Sequence, residues 1–118
     1  MSCIYCQNYE ISQLGRGKDI TIVELANIFL ELQEKMDLNY QIIYNTNSYE
    51  NVETIKALNG YIDIYLPDLK YYSNELSKKY SKVDKYFEVA TKAIKEMYKQ
   101  VGTAKFDKNG IIQKGVII

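Results

Sequence analysis

Cys3 and Cys6, in "MSCIYCQNYEISQLGRG", are the residues whose type and spacing most directly invite chemistry. A CxxC pair closes too short a loop to serve well as a staple, because the entropy a cross-link removes grows with loop length. Redox or metal chemistry is the better account, and three versions of it fit the pair. A thiol–disulfide centre needs a strand before it and a helix after it to set the thiolate pKa. A zinc site needs two more Cys or His ligands, and an iron–sulfur site needs at least one more Cys. The chain has no other cysteine and no histidine, so each version is incomplete within it. The lack of histidine also removes Ser-His and Cys-His nucleophile pairs, leaving thiolates, carboxylates and amines as reactive groups.

A second group of polar residues follows two apolar segments: Asn45 and Thr46 after "NYQIIY", and Asp68 and Lys70 after "YIDIYLP". If those segments are parallel strands, all four residues stand at the strand ends that carry function in α/β proteins. Asn-Thr and Pro-Asp are equally at home in ordinary turns. Gly15 and Gly17 in "LGRG" give a weak phosphate signal, since no Lys-Ser/Thr follows them.

The elements that must position these residues are legible from periodicity. "DITIVELANIFLELQEK" predicts a helix with Thr21 as N-cap and Glu24 three residues on, a capping box, and with Ile20 and Leu25 placed for a hydrophobic staple. Ile22, Leu25, Ile28, Phe29 and Leu32 recur at helical spacing. Tyr40 to Tyr44 reads as a strand. Val52, Ile55 and Leu58 mark a second helix, stopped at Gly60. A second strand ends near Leu66, because Pro67 cannot donate to a ladder. After a polar, Tyr-rich connection, Phe87, Ala90, Ile94, Met97 and Val101 line one face of the longest helix, with Gly102 beyond its end. "DKNG" is a turn, and "GVII" reads as a final apolar strand. The alternation of helix and strand is the order of a parallel α/β sheet.

Composition bounds the rest. With 118 residues, 47% of them hydrophobic, the chain is sized for one domain spanning residues 1–118. Fifteen basic residues balance fifteen acidic ones, which argues against nucleic acid and anionic membrane as partners. No apolar run approaches the roughly 18 residues needed to cross a bilayer, and the first residues lack the order of a secretory signal, so a cytoplasmic location is expected. The 12 tyrosines rise together with Lys, Ile and Asn, as a compositional bias would produce.

Together, "CIYCQNYEISQLGRG", "YNTNSYENVETIKAL" and "DIYLPDLKYYSNELSKKYS" resemble the radical S-adenosylmethionine (SAM) superfamily, in the branch related to the pyruvate formate-lyase activating enzyme. The resemblance covers most of the chain. It implies a fragment of a parallel partial (β/α) barrel with about three strands and flanking helices. It also implies a [4Fe-4S] cluster on a CxxxCxxC loop, of which Cys3 and Cys6 match the last two ligands, cleaving SAM reductively to a 5′-deoxyadenosyl radical. By the same resemblance Tyr5 matches an aromatic residue beside the adenine, Asp68-Leu69-Lys70 matches an Asp-x-Lys near the methionyl end of SAM, and Asn45 and Thr46 belong to the same mouth. The implied partners are a glycyl radical enzyme or a small-molecule substrate.

The pattern is incomplete in three places. Counting back from Cys3 puts the first cluster cysteine ahead of Met1, a strand and helix are lacking between Lys35 and Leu38, and the chain stops at Ile118. About 200 residues make a six-unit barrel. The sequence is therefore expected to be a truncated or internally deleted relative with diminished activity and exposed strand edges through which two chains could pair. The alternative is a non-enzymatic α/β remnant or interaction module whose CxxC is inert or binds zinc.

Overall fold

The computed structural model describes residues 20–35 and 41–118. Helix α1 (Ile22–Lys35) begins as the sequence predicts. The Glu24 N–H donates to Thr21 Oγ1 at 3.2 Å, and the Thr21 N–H donates to Glu24 Oε2 at 2.7 Å. This reciprocal pairing satisfies two backbone donors at the helix start. The staple is incomplete, because Ile20 remains 47% exposed. Leu25 and Phe29 pack on the core, Phe29 stacking on Tyr61 at 5.9 Å.

Strand β1 (Ile43–Thr46) leads into helix α2 (Val52–Ala57), which Asn51 caps by accepting the Glu53 N–H at 3.0 Å. Strand β2 (Ile64–Pro67) follows, then helices α3 (Asn74–Ser81) and α4 (Tyr86–Val101), and a hairpin of β3 (Lys105–Phe106) and β4 (Ile112–Val116). The strand order is β1-β2-β4-β3. β1 pairs in parallel with β2 in the register Ile43↔Ile64 to Thr46↔Pro67, and β2 pairs in parallel with β4 through Ile64↔Gly115 and Tyr65↔Val116. β3 is antiparallel to β4.

The core forms where Tyr65 of β2 meets Ile55 and Leu58 from α2 and its cap, together with Ala93, Met97 and Val101 of α4. Tyr65 is fully buried, so its hydroxyl needs a partner. It donates to Gln100 Oε1 at 2.6 Å, while Gln100 Nε2 donates to the Ile55 carbonyl at 2.9 Å, so one side chain of α4 ties β2 to α2. A second cluster of Tyr71, Val83, Tyr86 and Ala90 holds α3 against α4.

The expectation of a parallel partial-barrel fragment with about three strands is corrected. Among the described residues the sheet has four strands, is mixed, and ends in two edges, β1 and β3, that do not meet. The turn explains the difference. A parallel connection needs a dozen or more residues, whereas only Asp107 to Ile111 separate β3 from β4. Asp107 Oδ1 accepts the N–H of Asn109 at 2.8 Å and of Ile111 at 2.9 Å, and Gly110 takes φ +79°. Such a loop can only reverse the chain.

Three local readings shift as well. β1 begins and ends later than Tyr40 to Tyr44, so Asn45 and Thr46 lie inside the strand rather than after it. The Tyr-rich connection contains α3, whose apolar signal is only Leu76 and Tyr80 on the second cluster. In α4 the buried positions are Tyr86, Ala90, Ala93, Met97 and Val101, with Phe87 39% exposed.

Candidate functional site

The carboxyl ends of β1 and β2 lie side by side, the Asp68 N–H donating to the Thr46 carbonyl at 2.9 Å. The tyrosine that opens α4 fastens the two loops beyond them. The Tyr86 hydroxyl shares its single proton between the Asn47 carbonyl at 2.9 Å and the Asp68 carbonyl at 3.0 Å, and accepts the Lys70 N–H at 3.0 Å. The ring is buried, stacked on Tyr49 at 5.9 Å and met edge-on by Tyr71 at 5.4 Å. A buried hydroxyl with both its donor and acceptor capacity in use fixes backbone that would otherwise be free to move.

Upon this frame stand the polar side chains. Thr46, buried, donates from Oγ1 to Glu50 Oε1 at 2.6 Å and accepts the Ser48 N–H at 3.2 Å. The Tyr44 hydroxyl reaches the same Glu50 oxygen at 3.4 Å. Burial, followed by the Glu50 charge and hydrogen bond, pushes the Tyr44 phenol up to about 12. Asn47 closes a turn by accepting the Tyr49 N–H at 2.9 Å. Lys70 Nζ pairs with Asp68 Oδ2, the side chains retaining 26% and 54% of their exposure. Charges that open to water are within reach of a dissolved ligand.

Ser48 is the anomaly. It is fully buried, holds φ +65°, and its hydroxyl has no hydrogen-bond partner. A non-glycine residue in the left-handed region and an orphaned buried polar atom each cost free energy. Sequence reasoning had no signal for Ser48 beyond its place in an Asn/Thr/Ser run, and none for Tyr86, whose role depends on a meeting of loops distant in the chain.

Of the residues singled out from the sequence, Asp68 and Lys70 come together as an ion pair, and Thr46 stands at the neighbouring strand end. Asn45 is exposed along β1, away from this group's hydrogen bonds. Cys3, Tyr5 and Cys6 lie outside the described residues.

The expectation of a radical SAM enzyme, with its iron–sulfur chemistry and glycyl-radical-activating class, is corrected here. That chemistry needs a metal-ligating cluster set in a barrel mouth. The described residues build an open sheet, and among them no three His, Cys, Asp or Glu side chains are grouped to hold a metal ion. No helix among them is long and apolar enough to cross a membrane.

Comparison with known proteins leaves the fold and site to stand on their own residues. No family model matches the chain, and no solved structure matches it. It is 29% identical over 118 residues to the uncharacterized protein MJ0674 of Methanocaldococcus jannaschii, a match that takes in 74% of this chain. The match spans only 35% of that relative's length.

Proposed function

We propose that this chain is a non-catalytic α/β binding module that holds a small zwitterionic ligand at the carboxyl ends of β1 and β2. The carrying observation is the Asp68–Lys70 ion pair, partly exposed on a loop that the Tyr86 hydroxyl fixes. An α-amino carboxylate offers the complementary pair of charges, its carboxylate to the lysine and its ammonium to the aspartate. Open α/β sheets bind ligands outside the carboxyl ends of their strands, which supports this placement. The resemblance of the quoted segments to the activating-enzyme branch is retained as a proposal of descent. It nominates SAM, through its methionyl group, as a ligand and contributes no reaction. A cytoplasmic location belongs to the same reading, and Cys3 and Cys6 receive no role in it.

Calorimetric titration of the purified chain with SAM and with methionine tests the proposal. Binding is expected for both, weakened at least about tenfold, or about 1.4 kcal/mol, in Lys70→Ala. Absence of heat with either ligand, or unchanged affinity in Lys70→Ala, would count against it.

A further inference from the structure

The two edges of the sheet are built differently. β3 is two residues long, carries Lys105, and pairs irregularly with β4 between Lys105 and Phe106. Shortness, a lysine and an irregular ladder are devices that discourage a sheet from recruiting another strand. Among the described residues β1, itself four residues long, has neither a lysine nor an irregular ladder. Gln41 to Thr46 contain no charge, proline or glycine, and the β1–β2 register is regular throughout.

The ladder shows which backbone groups remain on the outer side. The Asp63 and Ile64 N–H groups donate to the Ile42 carbonyl at 3.0 and 3.1 Å, and the Asp68 N–H donates to the Thr46 carbonyl at 2.9 Å. In a parallel pair, alternate residues turn both backbone groups to the same neighbour. Ile42, Tyr44 and Thr46 therefore serve β2, while Ile43 and Asn45 turn theirs away from it. Both residues are exposed, Ile43 at 58%.

We propose that β1 is a self-association edge, which pairs antiparallel with β1 of a second copy of this chain across a two-fold axis at Tyr44. The outward residues lie symmetrically on either side of Tyr44, so a two-fold sets Ile43 opposite Asn45 of the partner subunit and repeats the match on the other side. Each such pair exchanges two backbone hydrogen bonds, which makes the contact self-complementary. The edge carries no charge and the whole chain is formally neutral, so like-charge repulsion does not oppose a second copy. The same register brings the two Tyr44 residues together as a close, non-hydrogen-bonded pair, a favourable position for aromatic side chains.

A short strand pair falls below the roughly 1,200–2,000 Å² that a stable interface buries. Helix α1 offers additional apolar surface. It packs through Leu25 and Phe29 on the cluster that Ile42 and Tyr44 also join, and leaves Val23, Ile28, Leu30 and Leu32 exposed. The product is a continuous eight-stranded sheet whose ends are the two protected β3 edges.

Sedimentation equilibrium of the full chain from micromolar to millimolar concentration tests the proposal, with amide hydrogen exchange at both extremes. A monomer–dimer equilibrium is expected. The Ile43 and Asn45 amides should exchange slowly only at high concentration, whereas the Tyr44 amide is protected at both. Asn45→Pro removes an outward N–H without touching the ladder to β2, and Ile43→Lys places a charge on the edge. Each should weaken dimerisation at least about tenfold with an unchanged circular dichroism spectrum. A monomer at all concentrations, an undiminished dimer in both variants, or concentration-independent exchange at Ile43 and Asn45 would overturn the proposal. Should Asn45→Pro fail to fold, Ile43→Lys and the wild-type exchange rates decide it.

Discussion

Ser48 holds a left-handed backbone conformation without the glycine that would adopt it freely, and buries a hydroxyl without giving it a partner. Both costs are relieved by Ser48→Gly. Releasing an orphaned hydroxyl and a strained φ is expected to stabilise the fold by about 1–2 kcal/mol, read as a higher urea midpoint at unchanged slope. A lower midpoint would mean that the hydroxyl has a partner in solution. The position follows a buried strand end and precedes Tyr49, which stacks on the Tyr86 ring that anchors both loops. The sequence announced Asp68 and Lys70 because charges just beyond a proline-terminated strand are conspicuous. It could not announce Tyr86, one of many tyrosines, since only its position between two loops gives its hydroxyl three backbone partners.

At the level of elements, the hairpin departs most from the sequence-based expectation. Of "GVII", read as the final strand, only Gly115 and Val116 lie in one: β4 runs Ile112–Val116, and its glycine has a packing role. Gly115 has φ +145°, and a Cβ placed there would lie 2.8 Å from Ala104 Cα, too close for any real contact with backbone. Gly115→Ala is therefore expected to cost about 2–4 kcal/mol, since relief requires moving the segment between α4 and β3 rather than a side chain. A drop below about 0.5 kcal/mol in denaturant titration would show that this segment yields easily. Helix α1 was readable down to its capping box, because the signal for a helix start lies within four consecutive residues. Helix α3 was not, because its sparse apolar positions gain meaning only against Tyr71 and Tyr86.

For the whole molecule, a core that buries tyrosines gives stability an alkaline limit. Tyr44 and Tyr65 lie edge-to-face at 6.0 Å, and burial, the largest cause for each, pushes both phenols up to about 12 from 10.0. Nearby negative charge adds to this, from Glu50 for Tyr44 and from ionised Tyr44 and Glu96 for Tyr65. Between those values the unfolded chain has released protons that the folded chain retains, so stability is whole below about pH 10 and falls as pH rises toward about 12. Denaturant midpoints measured across that interval should decline, and Tyr44→Phe should reduce the decline. A flat profile in the wild type would contradict the burial of these phenols. The sequence by itself determined the α/β class, the capping box of α1, the "DKNG" reversal and the placing of Asp68 and Lys70 just after the second strand, because each depends on residues near one another in the chain. Tertiary structure alone decided that, among the described residues, the sheet is mixed and open, that Tyr86 fastens the two loops, and that β1 stands at one edge of the sheet. Those facts depend on which distant segments become neighbours, and local propensity and periodicity do not encode that.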